Sequence, residues 1–91
     1  MELKIGKNYT YSPANYNAEA DNAHIERYCY SEYDIVDKNS NILCMVGESV
    51  TLVDVKDNNV VLYNDNNCKT VAQFTIEQEK FNKDFCINSV D

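Results

Sequence analysis

The stretch SVTLVDVKDNNVVLYNDNN, residues 49–67, decides the fold, because it has the pattern of two short strands joined by a tight turn. SVTLVDV, residues 49–55, alternates apolar and polar side chains, as a half-buried strand does. KDNN then supplies residues that favour turns, and VVLYN, residues 60–64, follows as the next strand. The stretch therefore predicts an antiparallel hairpin.

Further strands are predicted on both sides of this hairpin. ILCMV, residues 42–46, and TVAQFTI, residues 70–76, flank it, and DKNSN at 37–41 forms a turn before the first of them. A strand over 26–36 leads into that turn. The opening strand covers residues 2–11. It rests on a period-two pattern that places five side chains on one side: Leu3, Ile5, Lys7, Tyr9 and Tyr11.

Two short helical segments complete the prediction. The alanines and glutamates of AEADNAHIERYCY, residues 18–30, favour a short helix near 17–25, which Asp21 and Asn22 weaken. Near the end of the chain, Thr75 and Gln78 have the spacing of a capping box ahead of a helical turn. Phe81 and Phe85, four residues apart, would share a helical face that closes the core.

The spacing of the turns indicates the fold class. Turn signals recur at intervals of roughly eight to twelve residues, as in small barrels and sandwiches. With 91 residues, the chain has the size of one domain, residues 1–91. We therefore expect a mainly β protein, a small antiparallel SH3-like barrel of five to six strands, with a small α+β sheet as the alternative.

The charge balance limits the partners. Fifteen acidic residues against eight Lys and Arg give a net charge of −7. Such a field repels phosphate, so direct binding to nucleic acid or to an anionic membrane is disfavoured, whereas a basic protein surface is attracted. The start of the sequence, MELKIGKNYTY, lacks an apolar stretch long enough for a signal peptide or a membrane span. We expect a cytoplasmic protein.

The four cysteines do not have the spacing of a metal site. Cys29, Cys44, Cys68 and Cys86 contain no C-x-x-C pair and have no histidine pair beside them, whereas a zinc site normally brings two ligands close together in the sequence. They could form two disulfides in three pairings, but a reducing compartment predicts small buried thiols instead. Calcium is disfavoured as well, since an EF-hand loop starting at Asp65 would place Lys69 at a ligand position. No cofactor is expected.

Catalytic patterns are missing from the sequence. It contains no G-x-S-x-G, no P-loop and no dinucleotide-binding glycine pattern. His24 and Cys29, five residues apart, would not share a face of a helix or of a strand. We therefore expect a protein that is not an enzyme.

One stretch has a pattern suited to binding a protein. If residues 26–36 form a strand, five outward side chains alternate between carboxylates and phenols, and tyrosine is common in binding hot spots. They are Glu26, Tyr28, Tyr30, Glu32 and Asp34. Cys29, Tyr33 and Ile35 would face the core. A second, weaker set of contacts consists of Asp54, Asp57 and Asp65. The alternative is that these acids merely belong to solvated turns and strand faces.

Residues 47–67, GESVTLVDVKDNNVVLYNDNN, together with the tail FTIEQEKFNKDF, residues 74–85, resemble small SH3-like barrel modules of phage and prophage proteins. Short acidic inhibitors of host defence, including anti-CRISPR proteins, are similar in style. The resemblance implies a protein that imitates the charge of DNA and occupies the basic groove of a host protein that handles nucleic acid, such as a CRISPR effector. The alternative is a structural or adaptor module that acts through β-edge contacts or as a homodimer.

Overall fold

A five-stranded antiparallel sheet, a two-stranded sheet and two short helices make up the computed structural model, which describes residues 3–64 and 72–88. In chain order, the elements are β1 (Asn8–Tyr11), α1 (Ala18–Tyr28), β2 (Ile35–Val36), β3 (Ile42–Cys44), β4 (Ser49–Lys56), β5 (Asn59–Tyr63), β6 (Gln73–Glu77), α2 (Gln78–Asp84) and β7 (Phe85–Ile87). The prediction of a mainly β protein is confirmed.

The hairpin predicted from the central stretch forms β4 and β5. Leu52 pairs with Leu62, and Lys56 pairs with Asn59 across the turn. Asp57 opens this turn with φ of 55°, a left-handed conformation that Asp and Asn adopt more readily than most residues. The alternation places its apolar side chains in the core as predicted. These are Val50, Leu52, Val60 and Leu62.

The large sheet has the order β6-β5-β4-β1-β7. Among the described residues, β6 and β7 lie at opposite edges and do not pair with each other. The predicted SH3-like barrel is not confirmed, since no closed barrel is seen in this part of the chain, which forms an open sheet. Its β7 strand was not predicted; Phe85 pairs with Tyr11 and Ile87 with Tyr9, so that the end of the chain adds a strand beside β1.

Helix α2 covers the core face of the sheet, but the predicted helical face shared by Phe81 and Phe85 is wrong, because Phe85 has extended backbone angles and begins β7. Phe81 is fully buried, with its ring centroid 5.0 Å from that of Phe85 and 4.8 Å from that of Tyr9. The predicted capping box is wrong, because the N-cap residue is Glu77 and it makes no side-chain cap. Instead, the Gln78 N–H donates to the Asn58 carbonyl over 2.7 Å, which fixes the start of α2 to the β4–β5 turn.

The first strand is shorter than predicted. Only β1 pairs with the sheet, and residues 5 and 6 form a turn in which Gly6 has φ of 90°. The Gly6 N–H donates to the Leu52 carbonyl over 2.8 Å. As a result, Ile5 is exposed instead of facing the core, whereas Tyr9 and Tyr11 are buried. A glycine at the turn ends the alternation that the sequence suggested.

The chain between β1 and β2 differs most from the prediction. Helix α1 begins after Asn17, whose side chain accepts from the Ala20 N–H over 3.0 Å, and continues to Tyr28. It ends where Cys29 adopts a left-handed conformation and donates its N–H to the Ile25 carbonyl. The helix predicted for 17–25 is thus present and longer, and the strand predicted for 26–36 is wrong except for β2.

A small hairpin of β2 and β3 packs at one end of the core. The predicted turn at 37–41 is confirmed, with the Asp37 carboxylate accepting from Asn39 and Asn41. The hydrogen bonds from Asn41 hold the pKa of Asp37 below its usual value. Asn64, fully buried after β5, donates from its amide to the Leu43 carbonyl over 2.9 Å. This bond joins the small hairpin to the large sheet.

The cysteines follow the prediction only in part. Cys44 is fully buried in the core, as expected. Cys29 and Cys86 carry free, exposed thiols, because one ends a helix and the other points outward from an edge strand. Cys68 lies outside the described residues.

From the hydrogen bonds of Asp84, we predict that the folded protein loses stability in acid. Burial alone would raise its pKa, but hydrogen bonds from the Ala14 N–H (3.0 Å) and the Lys80 ammonium (2.8 Å) lower it. A carboxylate with a lowered pKa stabilises the fold above the ordinary pKa of about 3.9, and that contribution disappears as the pH falls through the folded value. We expect Asp84→Asn to unfold more easily than wild type at pH 7 but to lose less stability between pH 5 and pH 2.

Urea unfolding across that pH range, followed by circular dichroism, measures this effect. Lys80→Gln removes only the ammonium and should give an intermediate acid dependence. If Asp84→Asn has the same slope of stability against pH as wild type, Asp84 is not responsible for the acid loss.

Candidate binding surface

Helix α1 is held by one buried carboxylate. Asp21, the one buried residue of this fully described helix, accepts from the Ser31 hydroxyl at 2.8 Å and from the Glu32 N–H at 3.1 Å. These bonds draw residues 29–34, which we call the return segment, back along the helix. The Tyr33 hydroxyl receives the Asn17 N–H over 3.2 Å and adds a second link near the start of the helix.

The far end of this helical unit presents an aromatic cluster, which we define as His24, Tyr28 and Tyr30. The His24 ring centroid lies 4.6 Å from that of Tyr28 and 5.0 Å from that of Tyr30. His24 Nδ1 lies 2.9 Å from the Tyr30 carbonyl oxygen, which can only accept, so Nδ1 carries the proton. Tyr28 and Tyr30 remain 50% and 52% exposed, and Ile25 beside them is 40% exposed. The cluster is thus attached to the return segment by the His24–Tyr30 hydrogen bond, and about half of each tyrosine side chain remains exposed.

Arg27, the only arginine of the chain, lies against this cluster. Its guanidinium carbon is 5.4 Å from the centroid of the Tyr28 ring. Within residues 3–64 and 72–88, its N–H groups make no hydrogen bond or ion pair. A cation–π contact orients a guanidinium without using up its donors, so Arg27 retains donors for a partner.

The predicted acidic stripe does not form. Glu26 lies two residues before Tyr28 in α1, which places it about 160° around the helix axis and away from the cluster. Glu32 is exposed in the return segment, where its N–H binds Asp21. Asp34 is half-buried. The two tyrosines are exposed, as predicted, but the charged group that lies over the Tyr28 ring is the Arg27 guanidinium, and Glu26 is on the opposite side of the helix.

The second predicted set of acids belongs mainly to the β4–β5 hairpin and its turn. Asp57 forms the turn, and Asp54 lies beside a β-bulge, where its side chain accepts from the Val55 N–H over 2.8 Å. The Lys56 ammonium is 4.0 Å from the Asp54 carboxylate in an exposed pair that contributes little stability. Asp65 lies outside the described residues.

Helix α2 separates these two sets of acids. Its first residue binds the turn at Asn58, and its last, Asp84, accepts the Ser12 N–H through its carbonyl at 2.7 Å, next to the segment that leads into α1. Seven helical residues span about 10 Å. The hairpin that carries Asp54 and Asp57 therefore adjoins the start of α2, whereas Glu32 and Asp34 line a cleft beside its last residue, Asp84.

A cleft of about 370 Å3 lies between α2 and the return segment. The Tyr11 hydroxyl, which lines it, donates to the Tyr33 carbonyl over 2.6 Å, and burial together with the Asp84 carboxylate raises the pKa of Tyr11. The Lys80 ammonium lies 5.6 Å from the centroid of the Tyr11 ring and binds Asp84. The Tyr11 hydroxyl, the Lys80 ammonium and the Asp84 carboxylate are therefore already bonded to groups of the protein itself. The cleft thus holds α2 against the return segment.

In residues 3–64 and 72–88, no group of three or more His, Cys, Asp or Glu residues is placed to hold a metal ion. Neither described helix is long and apolar enough to cross a membrane.

Comparisons with known proteins give no further assignment: no family model, no curated protein and no solved structure matches the chain.

Sequence reasoning missed three residues of this surface, His24, Arg27 and the anchoring Asp21. The sequence did contain a signal for Asp21 and His24. Asp21, His24, Ile25 and Tyr28 have the i, i+3, i+4, i+7 spacing of one helix face. Asn17 is a good N-cap residue at the right distance ahead of them. The prediction of a strand over residues 26–36 assigned Tyr28 to a different element from the other three residues, so this helix face was not recognised.

Proposed function

We propose that this protein is a non-enzymatic binding protein whose aromatic cluster, together with Arg27, docks against another protein. The observation that carries the proposal is the pair of half-exposed tyrosines held against His24 at the end of α1. Tyrosine and arginine are enriched in binding hot spots: tyrosine buries a large area with little loss of side-chain freedom, and arginine offers a planar set of hydrogen-bond donors. The cluster is preorganised by the Asp21 bonds, which lowers the entropy cost of docking.

The net charge of −7 favours a basic partner. Long-range attraction would raise the association rate, and the aromatic cluster would supply most of the affinity. Proteins that handle nucleic acid carry basic surfaces, and a phage or mobile-element inhibitor that occupies such a groove in the bacterial cytoplasm, in the manner of an anti-CRISPR protein, fits this charge. Imitation of DNA by one acidic face has less support, because the two sets of acids lie apart.

A binding assay with matched tyrosine variants tests the proposal. The immobilised protein is exposed to bacterial lysate at low and high salt, and the retained protein is identified by mass spectrometry and purified for affinity measurements. The double variant Tyr28→Ala/Tyr30→Ala should weaken binding at least about 10-fold, since each hot-spot residue contributes more than about 1 kcal/mol. Higher salt should slow association of the wild type.

Tyr63→Ala is the matched control. Tyr63 is 42% exposed, like the cluster tyrosines, but lies on β5 of the large sheet. Its replacement should leave the affinity within about two-fold, as surface positions outside a hot spot do. A partner that binds the double variant as tightly as wild type overturns the proposal.

The open sheet supports a second candidate, an adaptor or structural module that pairs through a strand edge. In the described residues, β6 and β7 each have one neighbouring strand, so their outer backbone groups are available to another strand. Ile87, at the β7 edge, is 40% exposed. A stable dimer in sedimentation equilibrium that dissociates on Ile87→Pro, with no dependence on Tyr28 and Tyr30, would favour this candidate.

A further inference from the structure

We infer that Arg27 is the specificity-determining residue of this surface and that it grips a carboxylate of the partner protein. The inference rests on the proposed function and names the chemistry that the aromatic cluster accepts. The partner would be basic overall but would present, at the centre of its contact, an aspartate or glutamate beside an apolar or aromatic side chain.

The first support is the position of the only arginine in an acidic chain. Fifteen carboxylates offer potential partners, yet in the described residues the Arg27 guanidinium is paired with none and lies over the ring of Tyr28 instead. A guanidinium held by an aromatic face keeps its planar fork of donors, which matches the two oxygens of a carboxylate. Lysine, with a compact ammonium, could not reproduce this geometry.

The second support is the charge around the cluster. Glu26 points to the opposite side of α1, and Asp21 is buried and occupied by the return segment. Among the charged residues of α1, Arg27 is thus the one that lies beside Tyr28, while the molecule as a whole carries −7. An acidic side chain of a basic partner finds there a local attraction that the rest of this protein does not offer.

A second copy of this chain is a poor occupant. In a symmetric contact, the cluster would meet itself, bringing Arg27 against Arg27 within two molecules that each carry −7. The α1 face of the cluster, formed by His24, Ile25 and Tyr28, has no exposed carboxylate to receive the guanidinium. A different protein is therefore the occupant that the charges fit.

The test uses two small probes that differ in one charge, N-acetylphenylalanine as its carboxylate and N-acetylphenylalanine amide. Both carry the ring that would stack on Tyr28 and Tyr30. The full chain is titrated with each, and the Arg27 Nε–H and the tyrosine ring signals are followed by NMR. We expect the carboxylate to bind at least about three-fold more tightly than the amide, as one exposed charge pair allows, despite the negative net charge of the protein.

Variants assign this preference to Arg27. Arg27→Gln should abolish the difference between the probes, and Arg27→Lys should restore little of it. Glu26→Gln, which changes a neighbouring charge on the far side of α1, should preserve it. Equal binding of the two probes to wild type, or a preference that survives in Arg27→Gln, overturns the inference. The proposed function is tested separately by the tyrosine variants. It holds if Tyr28→Ala/Tyr30→Ala weakens partner binding, and it fails if that variant binds as tightly as wild type.

Discussion

Phe81→Ala is expected to lower the free energy of unfolding by about 3–5 kcal/mol, the largest effect of any single substitution that we predict. Phe81 is fully buried, with its ring against both Tyr9 and Phe85, and it attaches α2 to the core face of the sheet. Truncation removes the transfer free energy of the ring and leaves a cavity between rigid strands that cannot collapse to fill it. A domain of this size has a total stability of about 5–14 kcal/mol, so the substitution would remove between about a fifth of that stability and all of it.

Urea unfolding at 25 °C, followed by circular dichroism, measures the loss. Phe81→Leu keeps most of the volume and should lose roughly 1–2 kcal/mol, which preserves a measurable transition if the alanine variant does not fold. Ile87→Ala, at a 40% exposed position, should change stability by less than about 1 kcal/mol. Similar losses for Phe81→Leu and Ile87→Ala would show that α2 does not close the core.

The predicted features that are confirmed depend on local sequence. The alternation in β4 and β5 meets its turn at Asp57 and Asn58, where the residue types suit the backbone angles, so pattern and turn chemistry agree. This agreement needed no knowledge of distant contacts. Phe81 and Phe85 differ from it: their rings stack in the core, but Phe85 begins β7 and pairs with Tyr11, so the helix face that their spacing predicted does not form.

The features that are wrong depend on contacts between distant residues. Residues 26–28 alternate well enough for a strand, but the buried Asp21 binds Ser31 and Glu32, ten and eleven residues away, and thereby favours a helix with a return segment. On propensity alone, Asp21 weakens a helix. In the structure, its hydrogen bonds attach α1 to the return segment. The left-handed Cys29 that ends the helix has no signal of the usual kind, since glycine or asparagine is preferred there.

The candidate surface was predicted in one respect. The exposure of Tyr28 and Tyr30 follows from the sequence under either structure, because Tyr at a position without a core role carries its ring outward with a polar end in water. What surrounds the tyrosines could not be predicted, because a strand would have placed Glu26 beside them, whereas the helix places Arg27 and His24 there. The difference changes the expected partner group from a cation to an anion at the centre of the contact.

Asp21→Ala is expected to release α1 from the return segment and to cost about 2–4 kcal/mol locally. The alanine leaves the Ser31 hydroxyl and the Glu32 N–H without their shared acceptor, and a buried donor that loses its acceptor costs about 1–3 kcal/mol. The other links of the helix include the His24–Tyr30 hydrogen bond, the Asn17–Tyr33 hydrogen bond and the contact between the Tyr16 and Tyr33 rings. Because these lie within residues 16–33, the loss should fall there and spare the large sheet.

Hydrogen exchange resolves the two regions. Amide protection in α1 should fall about 30- to 1,000-fold in Asp21→Ala, as 2–4 kcal/mol implies, while protection in β4 and β5 should change much less. Asp21→Asn is the matched control, because its amide oxygen can still accept from Glu32 and its NH2 can donate to the Ser31 hydroxyl.

The same pair of variants connects the fold to the binding surface. Asp21 is buried beneath the return segment and does not belong to the exposed cluster, yet its hydrogen bonds hold the backbone on which Tyr30 meets His24. Asp21→Ala should therefore weaken partner binding nearly as much as Tyr28→Ala/Tyr30→Ala, whereas Asp21→Asn should bind almost as wild type. If the amides of α1 lose their protection but the affinity for the partner is unchanged, preorganisation of the cluster does not contribute to binding. The tyrosines then act as independent contacts.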